Sequence, residues 1–172
     1  MSDRVAVFID GSNAYHAFKA SFGSGKYSPL KLARELAGPR PIVRVGFYIG
    51  AVRQEMGSDL YAQQQRFLAH LKQVPDLDVW TGRMTHTGQQ WYEKGVDVKI
   101  ATDLVAMAYA GKYDVAILVS GDSDLVPAVR EVRFLGRVVE NAMPSGRKSW
   151  HLFQESSKFV AIDAELFSRI GV

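Results

Sequence analysis

A run of apolar residues without a charge, Val115-Ala-Ile-Leu-Val119, most narrows the folds open to this chain. Such a strand has no polar face, so both its sides must be covered, as happens to a central parallel strand between helices. Val5 to Ile9 has the same character. Each run leads into an acidic turn, Asp10-Gly-Ser-Asn13 after the first and Ser120-Gly-Asp-Ser-Asp124 after the second. Open α/β sheets place their ligands at the carboxyl ends of strands.

The remaining elements follow from pattern and punctuation. Ser12 or Asn13 suits the cap of a helix running through Phe18, and 22–27 reads as a loop. Ser28-Pro29 opens a second helix and Gly38-Pro39 closes it. Ile42 to Ala51 reads as a strand, and Ser58 to Gln73 as a helix with Leu60, Phe67, Leu68 and Leu71 toward the core. Leu77 to Met84 reads as a strand, and polar 85–94 as an exposed, mobile loop. A helix is predicted over 97–110, another over 125–135, and a strand over 137–142. A basic loop at 145–149 leads to 150–155, and the tail docks through 159–162 and Phe167. Strands alternating with helices predict one α/β domain over 1–172, a Rossmann-like three-layer α/β/α sandwich with a mainly parallel central sheet.

A length of 172 residues suits one domain with a real core. The absence of cysteine excludes disulfides, zinc–thiolate sites and cysteine nucleophiles. No apolar stretch reaches membrane-spanning length and no signal-peptide core follows Met1, so a cytoplasmic protein without a membrane partner is expected. The net charge of +3 is modest, but the acids concentrate in one site. Arg40, Arg44, Arg53, Arg66, Lys94, Arg133, Arg137, Arg147 and Lys148 are then expected to form a positive exterior suited to a polyanion.

Asp10, Asp97, Asp122 and Asp124 are the candidate metal-binding and catalytic acids, since gathered carboxylates repel one another until a cation or proton neutralises them. Asn13, three residues after Asp10, can orient the site without adding charge. Asp97 begins a helix and shares its stripe with Ala101, Leu104 and Ala108, whereas Asp103 lies about 120° away and suits a surface pair with Lys99. Asp122 and Asp124, with Gly121 allowing close approach, form an oxygen-rich corner that fits Mg²⁺ or Mn²⁺. Gly-Asp-Ser-Asp-Leu fails as a serine-esterase motif because an extra Asp interrupts it, and no nucleotide-binding glycine motif is present. His16, His70, His86 and His151 show no ligand spacing.

Phe8-Ile-Asp-Gly-Ser-Asn13, Lys94-Gly-Val-Asp-Val98 with Ile100, Ala101 and Asp103, and Leu118-Val-Ser-Gly-Asp-Ser-Asp124 with Pro127 and Gly136 together resemble the NYN domain family, the LabA-like branch of the PIN-like ribonucleases. The resemblance runs from Val5 to about Phe167. It implies a PIN-like fold and a Mg²⁺- or Mn²⁺-dependent endoribonuclease in which Asp10, Asp97, Asp122 and Asp124 bind metal, Asn13 orients the site and Ser120 contacts phosphate. Two positions depart from the family pattern: Leu125 stands where Phe is usual, and Ser156 or Ser157 where an Asp is usual. Glu35 is the nearest candidate for an additional helix carboxylate.

The expected chemistry is in-line hydrolysis of an RNA phosphodiester. Ser12, Lys94, Ser120, Arg147 and Lys148 are the expected substrate contacts, and Trp91 or Tyr92 the base stackers. The expected partner is single-stranded RNA, with association of like chains left open. A non-catalytic RNA- or partner-binding module on a nuclease fold, and a phosphatase for small phosphoesters, stand as alternatives.

Overall fold

The computed structural model describes residues 2–172, and its architecture follows from the two uncharged runs. β1 (Val5–Asp10) is buried along its whole length, with β2 (Ile42–Ala51) on one side and β5 (Val115–Val119) on the other, all parallel. β3 (Leu77–Thr87) extends the sheet beyond β2, and β6 (Val138–Met143) and β7 (Lys158–Ala161) extend it beyond β5. β4 (Gln90–Lys94) pairs antiparallel with β3, so seven strands run in the order β4-β3-β2-β1-β5-β6-β7.

Alternation along β1 divides the core between two faces. Val5, Val7 and Ile9 pack with Phe18 of α1 (Gly11–Phe22), Leu32 and Leu36 of α2 (Pro29–Ala37), and Ile170 of α7 (Ala164–Ile170). Ala6 and Phe8 pack with Ile100 and Leu104 of α4 (Val96–Tyr109) and with Val129 and Val132 of α5 (Val126–Phe134). The result is the expected three-layer α/β/α sandwich. Strand order reverses between β1 and β5, which opens a crevice at their carboxyl ends. Among the described residues no helix is long and apolar enough to cross a membrane.

Three expectations need correction. Residues 85–94 are a β-hairpin rather than a mobile loop: β3 runs on to Thr87, Gly88 and Gln89 turn, and β4 returns in register, His86 opposite Trp91 and Met84 opposite Glu93. Gly88 has φ 62°, as tight hairpin turns require, and the two half-exposed faces had hidden the period-two pattern. In α3 (Ser58–Leu71), Leu68 and Leu71 are buried and Phe67 packs edge-on against buried Phe47, but Leu60 is exposed. The helix's first turns overhang the end of β2, where Gln64 instead donates to the Gly50 carbonyl at 2.8 Å and accepts the Val52 N–H at 2.6 Å.

Four of the nine residues of the expected basic exterior are paired with carboxylates. Arg40 meets buried Glu140 at 2.8 Å, Arg44 meets Asp78 at 2.8 Å, Arg53 meets Glu55 at 2.7 Å and Arg137 meets Asp114 at 3.3 Å. Asp103 pairs with Lys99 at 2.7 Å as its spacing predicts, and also accepts the Tyr48 hydroxyl at 2.8 Å, clamping α4 to β2. Glu35 pairs with Arg169 of α7.

The Arg40–Glu140 contact is bidentate across 100 residues of sequence. Arg40→Met strands a buried carboxylate and is expected to lower the unfolding free energy by about 3 kcal/mol in urea denaturation. Adding Glu140→Gln is expected to recover most of that loss.

Candidate active site

The chain folds its acids together by crossing two turns over the crevice. Asp10 ends β1 and caps α1, its Oδ1 accepting the Asn13 N–H at 3.4 Å. Its Oδ2 accepts the Ser120 hydroxyl at 3.0 Å, just beyond β5. Asn13 answers from the other side, its Oδ1 accepting the Gly121 N–H at 2.7 Å. The Ser120 Oγ in turn accepts the Asp122 N–H at 3.1 Å, and Asp122 accepts the Asp124 N–H at 2.9 Å, forming a 3-10 turn at 123–125 that leads into α5.

Asp97, in the first turn of α4, comes to this turn from the neighbouring layer. Asp97, Asp122 and Asp124 each offer a carboxylate oxygen within 4.8 Å of the others. No arginine or lysine pairs with them among the described residues. The donor set is all oxygen, which suits a hard divalent cation such as Mg²⁺ or Mn²⁺ rather than a thiolate- or imidazole-seeking metal.

Asp10 lies behind this trio rather than within it, only 5% exposed. Burial pushes its pKa up to about 7; the Ser120 hydroxyl and the Asn13 N–H pull the other way, and the negative charges of Glu93 and Asp122 add to the rise. Ser120 is fully buried and gives its hydroxyl to Asp10. The structure thus brings the expected acids to one crevice, with Asp97, Asp122 and Asp124 facing one another and Asp10, Asn13 and Ser120 forming the scaffold beneath.

Glu93 is the site residue that motif reading missed. The hairpin delivers its Oε2 to the Ser12 hydroxyl and the Gly50 N–H, both at 2.7 Å. Gly50 has no room for a side chain, since a Cβ there would lie 2.7 Å from that same oxygen. Glu93 stands four residues before Asp97, and only the strand alternation of β4 would have marked it as inward. Buried Asn141 was missed too; its Nδ2 donates to the Leu118 and Ser120 carbonyls at 3.0 and 2.9 Å and fixes the end of β5. Its signal was a polar pair, Glu140 and Asn141, within an apolar strand.

The expected substrate contacts separate. Ser12 is engaged by Glu93, and Lys94, next along β4, projects to the opposite hairpin face. Trp91 shares the Glu93 face, packs on His86 at 4.7 Å and lies under the Arg53 guanidinium at 5.6 Å; Tyr92 faces the other way. Arg147 lines a cavity of about 230 Å³ with Asn13, His16 and Gly121. Lys148 holds its ammonium 4.2 Å from the Phe153 ring centroid.

A family model of the NYN domain matches residues 4–163. No curated protein matches the chain. Among solved structures, a protein of unknown function from Vibrio parahaemolyticus RIMD 2210633 is 21% identical with a TM-score of 0.77, over 99% of this chain and 97% of that one. It shows the same fold. A provisionally assigned UDP-N-acetylglucosamine 2-epimerase from Listeria monocytogenes is 12% identical over 98% of this chain and 42% of its own, with a TM-score of 0.45.

The Asp10 proton has a stability consequence. Between about pH 4 and 7 the folded chain retains a proton that the unfolded chain, with an ordinary carboxylate pKa of 3.8, has released. Rising pH therefore favours unfolding across that window, by about 4 kcal/mol in total for metal-free protein. Asp10→Asn is expected to flatten this dependence, and Glu93→Gln to move it to lower pH by removing a neighbouring negative charge. Urea unfolding in EDTA at pH 5 and 8 checks both.

Proposed function

This chain belongs to the NYN domain family of PIN-like nuclease folds, and from that premise we propose that it is a Mg²⁺- or Mn²⁺-dependent ribonuclease that hydrolyses phosphodiester bonds within single-stranded RNA. The observation that carries the reading is the Asp97, Asp122 and Asp124 trio at the carboxyl edge of the sheet, unneutralised by any cationic side chain among the described residues. Elsewhere in the fold, the half-buried or buried carboxylates of Glu140, Asp103 and Asp114 each meet a cationic side chain. The trio is held together by backbone turns instead, which favours a site kept for an external cation.

Asp97, Asp122 and Asp124 would hold the metal, with Asp10 supporting them from below. A divalent cation in such a site supplies Lewis acidity, lowering the pKa of water and offsetting charge that develops on the phosphoryl group. The chain's own residues do the positioning. Asp10 and Asn13 bind the two turns together, so the acids cannot spread under their mutual repulsion. Glu93 fixes the α1 N-terminus through Ser12 and holds the hairpin against the end of β2. Arg147, His16 and Asn13 line the adjoining cavity, where a cation and polar side chains meet a phosphate or a base edge.

Cleavage of labelled single-stranded RNA with Mn²⁺ tests the reading. Asp97→Asn and Asp122→Asn are expected to lose at least about 100-fold in rate while keeping the wild-type melting profile. EDTA is expected to abolish cleavage and added Mn²⁺ to restore it. Isothermal titration of Mn²⁺ should show binding to wild type and loss of that binding in both variants. Folded wild type that cuts none of several RNAs with either metal would overturn the proposal.

A further inference from the structure

We propose that Trp150 is the platform on which a base of the RNA stacks beside the scissile position, with the neighbouring phosphate received by the cavity that Arg147, His16 and Asn13 line. This inference rests on the ribonuclease reading.

Trp150 begins α6 (Trp150–Glu155), the short crossover between β6 and β7, and its side chain has no evident task in folding. Leu152, fully buried in the α4–α5 core, anchors the helix, and the Ser149 hydroxyl caps it by accepting the Leu152 N–H at 3.3 Å. Trp150 is 59% exposed. Large exposed apolar surface of this kind, bordered by charge, marks interaction sites.

The ring is nevertheless held in a defined orientation. It stacks on Phe153 with centroids 5.6 Å apart and planes 17° apart, and Phe153 abuts Phe159 of β7 edge-on at 5.5 Å. The Lys148 ammonium stands 4.2 Å from the Phe153 centroid and 5.5 Å from that of Phe159. An aromatic plane backed by a second ring and flanked by a cation is what unstacked bases use in single-strand recognition.

Position gives the platform its occupant. α6 packs against the 3-10 turn that carries Asp124, so Trp150 stands at the border of the acidic crevice. The preceding loop is pressed onto the site: a Cβ on Gly121 would lie 2.9 Å from the Arg147 carbonyl oxygen. Arg147, free of any carboxylate partner among the described residues, lies three residues before Trp150 and lines the cavity that reaches Asn13 and Gly121, next to Asp122. The contacts of 121–125 with Arg147 and α6 thus join aromatic ring, cation, polar cavity and acidic turn in one region, the chemistry needed for the base, phosphate and cleavage site of an RNA strand. Tyr109 and Phe134, also highly exposed, end α4 and α5 at the opposite pole of the sheet and have no such continuity.

The experiment measures binding apart from cleavage. Fluorescence anisotropy of a labelled 12-nucleotide oligouridine in Mg²⁺ would be followed with Asp122→Asn protein, alone and combined with Trp150→Ala or Trp150→Phe. A matched oligomer in which abasic sugars replace the nucleosides serves as the second ligand. Trp150→Ala is expected to weaken oligouridine binding about 10-fold or more, Trp150→Phe to recover most of that loss, and neither to change binding of the abasic oligomer. Indole fluorescence quenched by oligouridine in the parent, and not in Trp150→Ala, is the accompanying signature. Unchanged oligouridine affinity in a folded Trp150→Ala protein overturns the platform, as does an equal loss for the abasic ligand. Wild type that binds through Trp150 yet never cleaves overturns the ribonuclease reading and leaves the platform standing.

Discussion

Two hydrogen bonds between the turns after β1 and β5 hold the carboxyl edge of the sheet together. Asp10 receives the Ser120 hydroxyl across 110 residues of sequence, and Asn13 receives the Gly121 N–H across 108. The turn after β1 therefore supplies both acceptors and the turn after β5 both donors. The Ser120–Asp10 bond is buried, where a donor or acceptor left alone costs the full desolvation penalty, and the Gly121–Asn13 bond is partly buried. Neither turn can shift without breaking both links, and the acids they carry inherit that rigidity. The parallel pairing of β1 with β5 sets the distance that the two bonds close.

Charge is sorted across the molecule in a way that makes the crevice distinct. Arginines elsewhere meet carboxylates directly, as in the bidentate contacts of Arg4 with Asp114 and Arg40 with Glu140. At the carboxyl edge, Asp10, Glu93, Asp97, Asp122 and Asp124 accept only from hydroxyls and backbone amides or lie open to solvent. Such a field concentrates cations and repels polyanions until it is neutralised, so under the proposed function metal and RNA would be coupled electrostatically. Arg147 and Lys148, which have no carboxylate partner among the described residues, belong to the loop that meets Gly121, where phosphates would approach.

The sheet was legible because β1 and β5 carry their message in composition: no charge, continuous burial and an acid at the exit. The Asp97 helix was legible from its apolar stripe, although Val96 and Ile100 rather than Ala101 prove to be its buried members beside Leu104 and Ala108. The β3–β4 hairpin was not, since polar residues on both faces give a hydropathy pattern indistinguishable from a loop. Glu93 was lost with it, because its inward direction exists only once the strand does. Nor could spacing reveal that Asp10 would sit under the acidic trio, since its depth depends on the twist of β1 against β5. The pairing of Arg40 with Glu140 joins distant segments and leaves no local trace.

The hairpin and the last strand also decide how copies of this sheet meet. An open parallel sheet presents unpaired backbone groups along both edges, a template for aggregation. Here one edge is the five-residue β4, with Lys94 and Glu93 alternating in direction along it, and the other is the four-residue β7, which begins at exposed Lys158. Short, charged rims of this kind discourage strand-to-strand addition. A sheet built around two strands as apolar as β1 and β5 thus keeps them at its centre and ends on both sides in short, charged strands.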